Sequence, residues 1–168
     1  DTINSQIAQV KEQQKTLNTS GKQVNSGLAT IAANKAKVNA SIKTLKTALT
    51  GMEQMQRSLA ALEKQEAALK TQIEAAGDMA TEEMKSGLTS VQAQLKVIRD
   101  NLTKQGITEA ALPTKIKEMQ ANLTKAQSGL TELEKNEKTL KANQKKVKTA
   151  QKKIKDGLKK LNDAKTKL

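Results

Sequence analysis

Counting in sevens from Ile3, the chain meets Val10, Leu17, Val24, Ile31, Val38, Leu45, Met52, Leu59, Glu66 and Ile73, ten apolar side chains in eleven positions. A seven-residue repeat keeps one stripe of a helix turned towards a partner, so this spacing predicts a coiled-coil seam. The companion half-seam runs Ile7, Gln14, Gly21, Leu28, Lys35, Ile42, Leu49 and then changes side to Met55, Leu62, Leu69 and Ala76. A second segment interleaves Met84, Val91 and Ile98 with Leu88, Leu95 and Leu102. A third carries Leu112, Met119, Ala126, Leu133, Leu140, Val147, Ile154, Leu161 and Leu168, nine apolar positions in nine. Its second half-seam begins with Ile116, Leu123 and Leu130 but continues as Glu137, Gln144 and Gln151, so the seam thins towards the C-terminus, as Gln14 and Gly21 thin it near the start.

Gly51, Gly77 and Gly106 are the candidate breaks. After Gly77-Asp78, Thr81 is placed to cap a new helix whose first turn carries Glu82 and Glu83. Gly106-Ile107-Thr108-Glu109 reads as a left-handed helix stop followed at once by a fresh cap. Pro113 is tolerated because it falls near the start of the last helix. Eighteen alanines lie between residues 24 and 133, against one in 1–23 and three in 134–168. Small apolar residues beside a seam widen its buried face, as a bundle of more than two helices requires. The fold expected is therefore all-α, a long antiparallel coiled-coil hairpin stalk (1–24 and 134–168) with a four-helix head (25–133), roughly 90 Å long at 1.5 Å per residue. A rival topology keeps residues 2–76 as one helix, turns at Gly77-Asp78 and returns through a kink at Gly106; unbroken spacing across Leu45 and Met52, with no good cap after Gly51, favours it.

Composition narrows the picture further. The chain of 168 residues has no Phe, Tyr, Trp, Cys or His, so its core has to be thin and built from aliphatic side chains. No stretch approaches the ~18 apolar residues needed to span a bilayer. The chain starts at Asp1 rather than Met and its heptads run into Leu168, which suggests a piece of a longer protein. The net charge is +13, and residues 134–168 hold thirteen lysines against four acidic residues. Such a stripe can make weak contact with an anionic surface, although a solvated outer face that keeps the rod soluble is the plainer reading. Nucleic acid is not the expected partner, since Arg occurs only at 57 and 99, the heptads continue through the lysines, and no aromatic ring is present to stack on bases.

Little here can do chemistry. Without His or Cys, and with no pocket expected to shift the pKa of Asp, Glu or Lys, no catalytic residue, cofactor or metal site is expected. Electrostatics at a helix start accounts for Glu82 and Glu83 without a metal. Met52, Met55, Met79 and Met84 fall near the expected head and form the candidate partner-binding surface, because methionine side chains adapt to varied partners; core filling is the plainer alternative. One motif recurs as Ser26-Gly27-Leu28, Ser86-Gly87-Leu88, Ser128-Gly129-Leu130 and Asp156-Gly157-Leu158, with Ser20-Gly21 as a partial copy. Glycine in a helix costs about 1 kcal/mol relative to alanine, so either a benefit such as close backbone approach or bending is expected at these positions, or the motif is relaxed repeat expansion.

Two stretches, Lys152 to Leu168 and Ala111 to Leu130, resemble the extracellular coiled-coil insertions of FtsX-like (MacB-type) ABC transporter permeases of Gram-positive bacteria, which lie between the first two membrane helices. Glycine-punctuated coils of the YhgE/Pip and EsaA-like membrane proteins are similar. The first resemblance implies a non-catalytic stalk outside the cell membrane that carries motion from a cytoplasmic ATPase to a substrate, an envelope protein or a cell-wall polymer. The second implies a receptor- or adhesin-type binding stalk, linked to phage adsorption or type VII secretion.

Overall fold

The computed structural model describes residues 2–168. They form three α-helices, α1 (Thr2–Ala76), α2 (Glu82–Lys104) and α3 (Leu112–Lys167), with a short 3-10 turn at Gly77–Met79, and no strand among the described residues. The chain is all-α, as the heptads predict. Its threonines do not interrupt the helices because hydroxyls such as those of Thr16, Thr47 and Thr124 bond the carbonyl one turn back.

The chain divides into two compact units. Unit 1 comprises residues 1–40 and 127–168, a pair of helices formed by the start of α1 and most of α3. The pair is antiparallel: Asn18 bonds Gln151, Asn25 bonds Gln144 and Lys35 bonds Glu137, so position on α3 falls as position on α1 rises. Its seam is shallow, with Ile7 and Ile31 the buried apolar residues, Leu168 exposed and the rest half-exposed.

Unit 2 comprises residues 41–126, where the second part of α1 meets α2 and the start of α3. Here the core closes. Leu95, Leu102 and Leu112 are at most 2% exposed, and Met52, Leu59, Val91, Ile116 and Met119 complete the cluster. Three helices enclose a side chain on more sides than two can, which is why nearly all the buried residues fall in this unit.

The helix ends follow the local chemistry read from the sequence. Gly77 (φ 52°) and Gly106 (φ 73°) take the left-handed conformation that ends a helix. At Gly106 the bonds from Gly106 N to Thr103 O and from Ile107 N to Leu102 O, each 2.9 Å, make a Schellman stop, and Ile107 packs on the cluster that contains Leu102. Thr81 Oγ1 accepts from Met84 N at 3.1 Å at the start of α2. Thr108 Oγ1 accepts from Ala111 N at 3.1 Å in the turn that leads into α3, where Pro113 is the second residue.

The expected four-helix head is corrected to three helices, because Gly51 lies inside α1 and breaks nothing. A helical glycine costs about 1 kcal/mol, less than exposing Met52 and Leu59, which are buried one and eight residues later. The alanine argument fails for a related reason: fifteen of the eighteen alanines between residues 24 and 133 are exposed, with only Ala76, Ala80 and Ala126 half-buried. They serve helix propensity on outer faces and widen no core.

Gly51→Ala is expected to stabilise the chain by about 1 kcal/mol, since a Cβ there meets nothing within 4 Å, while Gly106→Ala costs about 1–2 kcal/mol at its positive φ. Leu95→Ala should cost about 2–5 kcal/mol. Chemical denaturation of the three variants measures all of these values, and loss of stability in Gly51→Ala would contradict an unbroken α1.

Candidate functional site

The polar residues of the seam in unit 1 are the most specific feature of the helix pair. Gln151 Nε2 donates to Asn18 Oδ1 at 3.1 Å and Gln144 Nε2 to Asn25 Oδ1 at 2.7 Å. Lys35 Nζ donates to Glu137 Oε2 at 2.9 Å, while Lys141 Nζ, one turn along α3, reaches the other oxygen, Oε1, at 2.7 Å. Residues 137, 144 and 151 are successive heptad seats on α3, so the bonds recur at regular intervals along the pair. Apolar seams tolerate slippage by one heptad because one aliphatic contact resembles the next; a single ion pair does not, although the same slide would still set Gln144 opposite Asn18. Sliding α3 by seven residues would set the Glu137 carboxylate opposite Leu28. Gln14, the fourth polar seam residue, is half-buried and makes no hydrogen bond across the pair.

Two glycines lie in the same seam. A Cβ on Gly21 would stand 3.5 Å from Val147 and 3.4 Å from Gln151, and one on Gly27 would stand 3.1 Å from Leu140. The close-approach reading of the recurrent motif therefore holds at these two positions. Gly87 has Leu69 at 3.9 Å, an ordinary contact, and Gly129 and Gly157 face open space. The sequence pattern ranks Gly21 as only a partial copy and does not single out Gly27, because only the facing helix distinguishes them.

Charge in the pair acts on Glu137 above all. The ammonium of Lys141, then that of Lys35, hydrogen-bonds its carboxylate and holds its pKa down to about 2, and Glu137 in turn raises that of Lys35. In unit 2, Arg99 joins two carboxylates, donating from Nε to Glu109 at 2.9 Å and from Nη2 to Glu63 at 3.2 Å. Glu109 lies on the turn between α2 and α3, so the guanidinium ties that turn to both α2 and α1. The close approach of Glu109 raises the pKa of Glu63, and Glu63, with the Arg99 guanidinium, lowers that of Glu109. The sequence offered no sign of this triad, since its members are 10 and 36 residues apart.

The four candidate methionines part company. Met52 is buried in the core and Met55, half-buried, packs against it, both at seam positions. Met84 is half-buried in the first turn of α2, and Met79 is 85% exposed on the turn between α1 and α2. Glu82 pairs with Lys85 at 3.8 Å in the first turn of α2, a helix-start arrangement. Among the described residues no group of acidic side chains is placed to hold a metal ion, and no helix is long and apolar enough to cross a membrane.

Comparison with protein-family models, curated proteins and solved structures gives no match.

Glu137 has a lower pKa folded than its ordinary 4.5, so the stability it contributes is present above about 4.5 and is lost as the pH falls towards 2. Thermal melts followed by circular dichroism between pH 5 and pH 2 should show falling stability, with a weaker dependence in Glu137→Gln. An unchanged slope in that variant would remove Glu137 as the source.

Proposed function

We propose that this chain is a non-catalytic extracellular coiled-coil stalk of a membrane protein, best matched to the insertion of an FtsX-like ABC transporter permease, and that it transmits motion to, or positions, an envelope partner or substrate. The observation that supports this reading is the antiparallel order of unit 1, which brings the start of α1 and the end of α3 to the same end of that unit. A segment inserted between two membrane helices has to return to where it left, and an antiparallel pair meets that demand directly. Transmission of motion by relative movement of the two helices also needs contacts that can open and reform, and the polar bonds at Asn18, Asn25 and Lys35 lie in a shallow, largely half-exposed seam. The chemistry assigned to the stalk is mechanical, since its side chains lack His and Cys.

A binding stalk, in the manner of a receptor or adhesin, is the second reading, favoured by the exposure of Met79 on the turn between α1 and α2. Met79→Lys would abolish partner capture under that reading and leave mechanical coupling intact under the first.

The decisive test is a reversible disulfide between Asn18→Cys and Gln151→Cys in the full-length membrane protein. Oxidation is expected to lower the coupled activity without lowering ATP hydrolysis, and reduction should restore it. Full coupled activity in the oxidised state would refute force transmission by relative movement of the two helices.

A further inference from the structure

The two units differ in charge far more than in size. Unit 1 holds 18 lysines against 7 acidic residues, a net of +11, while unit 2 holds 12 basic against 10 acidic residues, a net of +2. In unit 2 the acidic residues nearly match the basic ones in number, and ion pairs form at Arg99 with Glu63 and Glu109, Lys70 with Glu66, Lys85 with Glu82, Lys96 with Asp100 and Lys115 with Glu118. In unit 1 the numbers do not match. Antiparallel helix pairs commonly set acidic residues against the lysines that flank the partner's seam. Between Thr2 and Ala40, however, the only acidic residue is Glu12.

On α3, Lys138, Lys141, Lys145, Lys148, Lys152, Lys155 and Lys159 follow one another at steps of three and four residues, and all are exposed. Steps of three and four keep them on one helix face, about 5 Å apart along the axis and covering roughly 30 Å. Among the described residues only Lys141 of the seven has an ion-pair partner. Asp156, the one acidic residue between 138 and 162, pairs with none of them. A shallow groove lined by Lys141, Gln144, Lys145, Lys148, Thr149 and Lys152 runs along this face.

We propose that this face of α3 is a docking surface for a flexible phosphodiester polymer without bases, lying along the helix with its phosphates against successive lysines. The stripe is one helix wide, which suits a single polymer chain, and it carries no apolar or aromatic side chain to enter a lipid surface or stack on a base. The cations of α3 are all lysine. An arginine fork fixes the geometry of an individual carboxylate or phosphate, whereas an ammonium meets a phosphate as a point charge, which suits a flexible polymer whose phosphates hold no fixed register. The proposal stands apart from the stalk reading, since it depends only on charges within unit 1.

The test measures binding of poly(glycerol phosphate) to the whole chain by titration calorimetry at several salt concentrations. Six free lysines predict a slope of log K against log salt of about −4, or roughly 250-fold weaker binding between 50 and 200 mM salt. Lys145→Gln, Lys148→Gln, Lys152→Gln and Lys155→Gln together should bring the slope to about −1 and weaken binding at least tenfold at 50 mM salt. Arginine at the same four positions should keep affinity within about threefold, which separates loss of charge from loss of fold. A control of equal net charge, Lys43→Gln, Lys46→Gln, Lys64→Gln and Lys117→Gln in unit 2, should also stay within about threefold. The proposal is overturned if that control loses as much affinity as the stripe variant. It is equally overturned if single-stranded DNA, or vesicles of anionic lipid, bind at least tenfold more tightly than the polymer.

Discussion

A helix made without aromatic residues can bury little area per turn, and that limit governs everything else in this molecule. A leucine or isoleucine in a two-helix seam remains partly in contact with water, and in unit 1 most seam residues are half-exposed. Where α2 joins α1 and α3, the same kinds of side chain become fully enclosed, as at Leu95 and Leu102. Burial of apolar area is worth about 25 cal/mol per Å², so a third helix changes the stability of a segment without any change in residue type. The two compact units differ for this reason.

A seam that is weak along much of its length has to obtain its specificity elsewhere. In unit 1 that comes from side chains that would be poor choices for stability alone, namely Gln144, Gln151 and Glu137 at seats that could hold leucine. Glu137 has Lys35 in the observed register and would face Leu28 one heptad away, whereas Gln144 would exchange Asn25 for Asn18. Gly21 and Gly27 add a steric component, because Val147 and Leu140 fill the space left by their missing side chains. In unit 2, where the core is closed, the specific polar contact moves to the periphery: Arg99 ties the turn after α2 to α1 through Glu109 and Glu63.

This division bears on function. A pair that resists slipping by polar register, rather than by a deep core, holds its alignment while retaining solvent-exposed contacts that can open and reform. The proposed mechanical role draws on the second property. The lysines of α3 add a separate one, because charge that the facing helix leaves unanswered is available to an outside anion, and in unit 2, where carboxylates nearly match it in number, no comparable field remains.

The seven-residue repeat by itself determined that the chain is helical, and glycine chemistry with nearby caps at Thr81 and Thr108 determined where α1 and α2 end. Those are local effects, set by backbone conformation and by side chains within one turn, and they are visible in any one stretch of sequence. Whether Gly51 would break a helix was not local, since it turned on the burial of Met52 and Leu59 by α2 and α3. The alanines misled for the same reason: a small apolar residue suits a core and an exposed helix face alike, and only packing separates the two. The roles of Gly21, Gly27, Glu137 and Arg99, and the burial of Met52 beside the exposure of Met79, likewise followed from what stands across from each residue. Tertiary structure decided these because the facing partner lies up to 133 residues away along the chain, and a heptad pattern records which face of a helix is apolar without recording what that face meets.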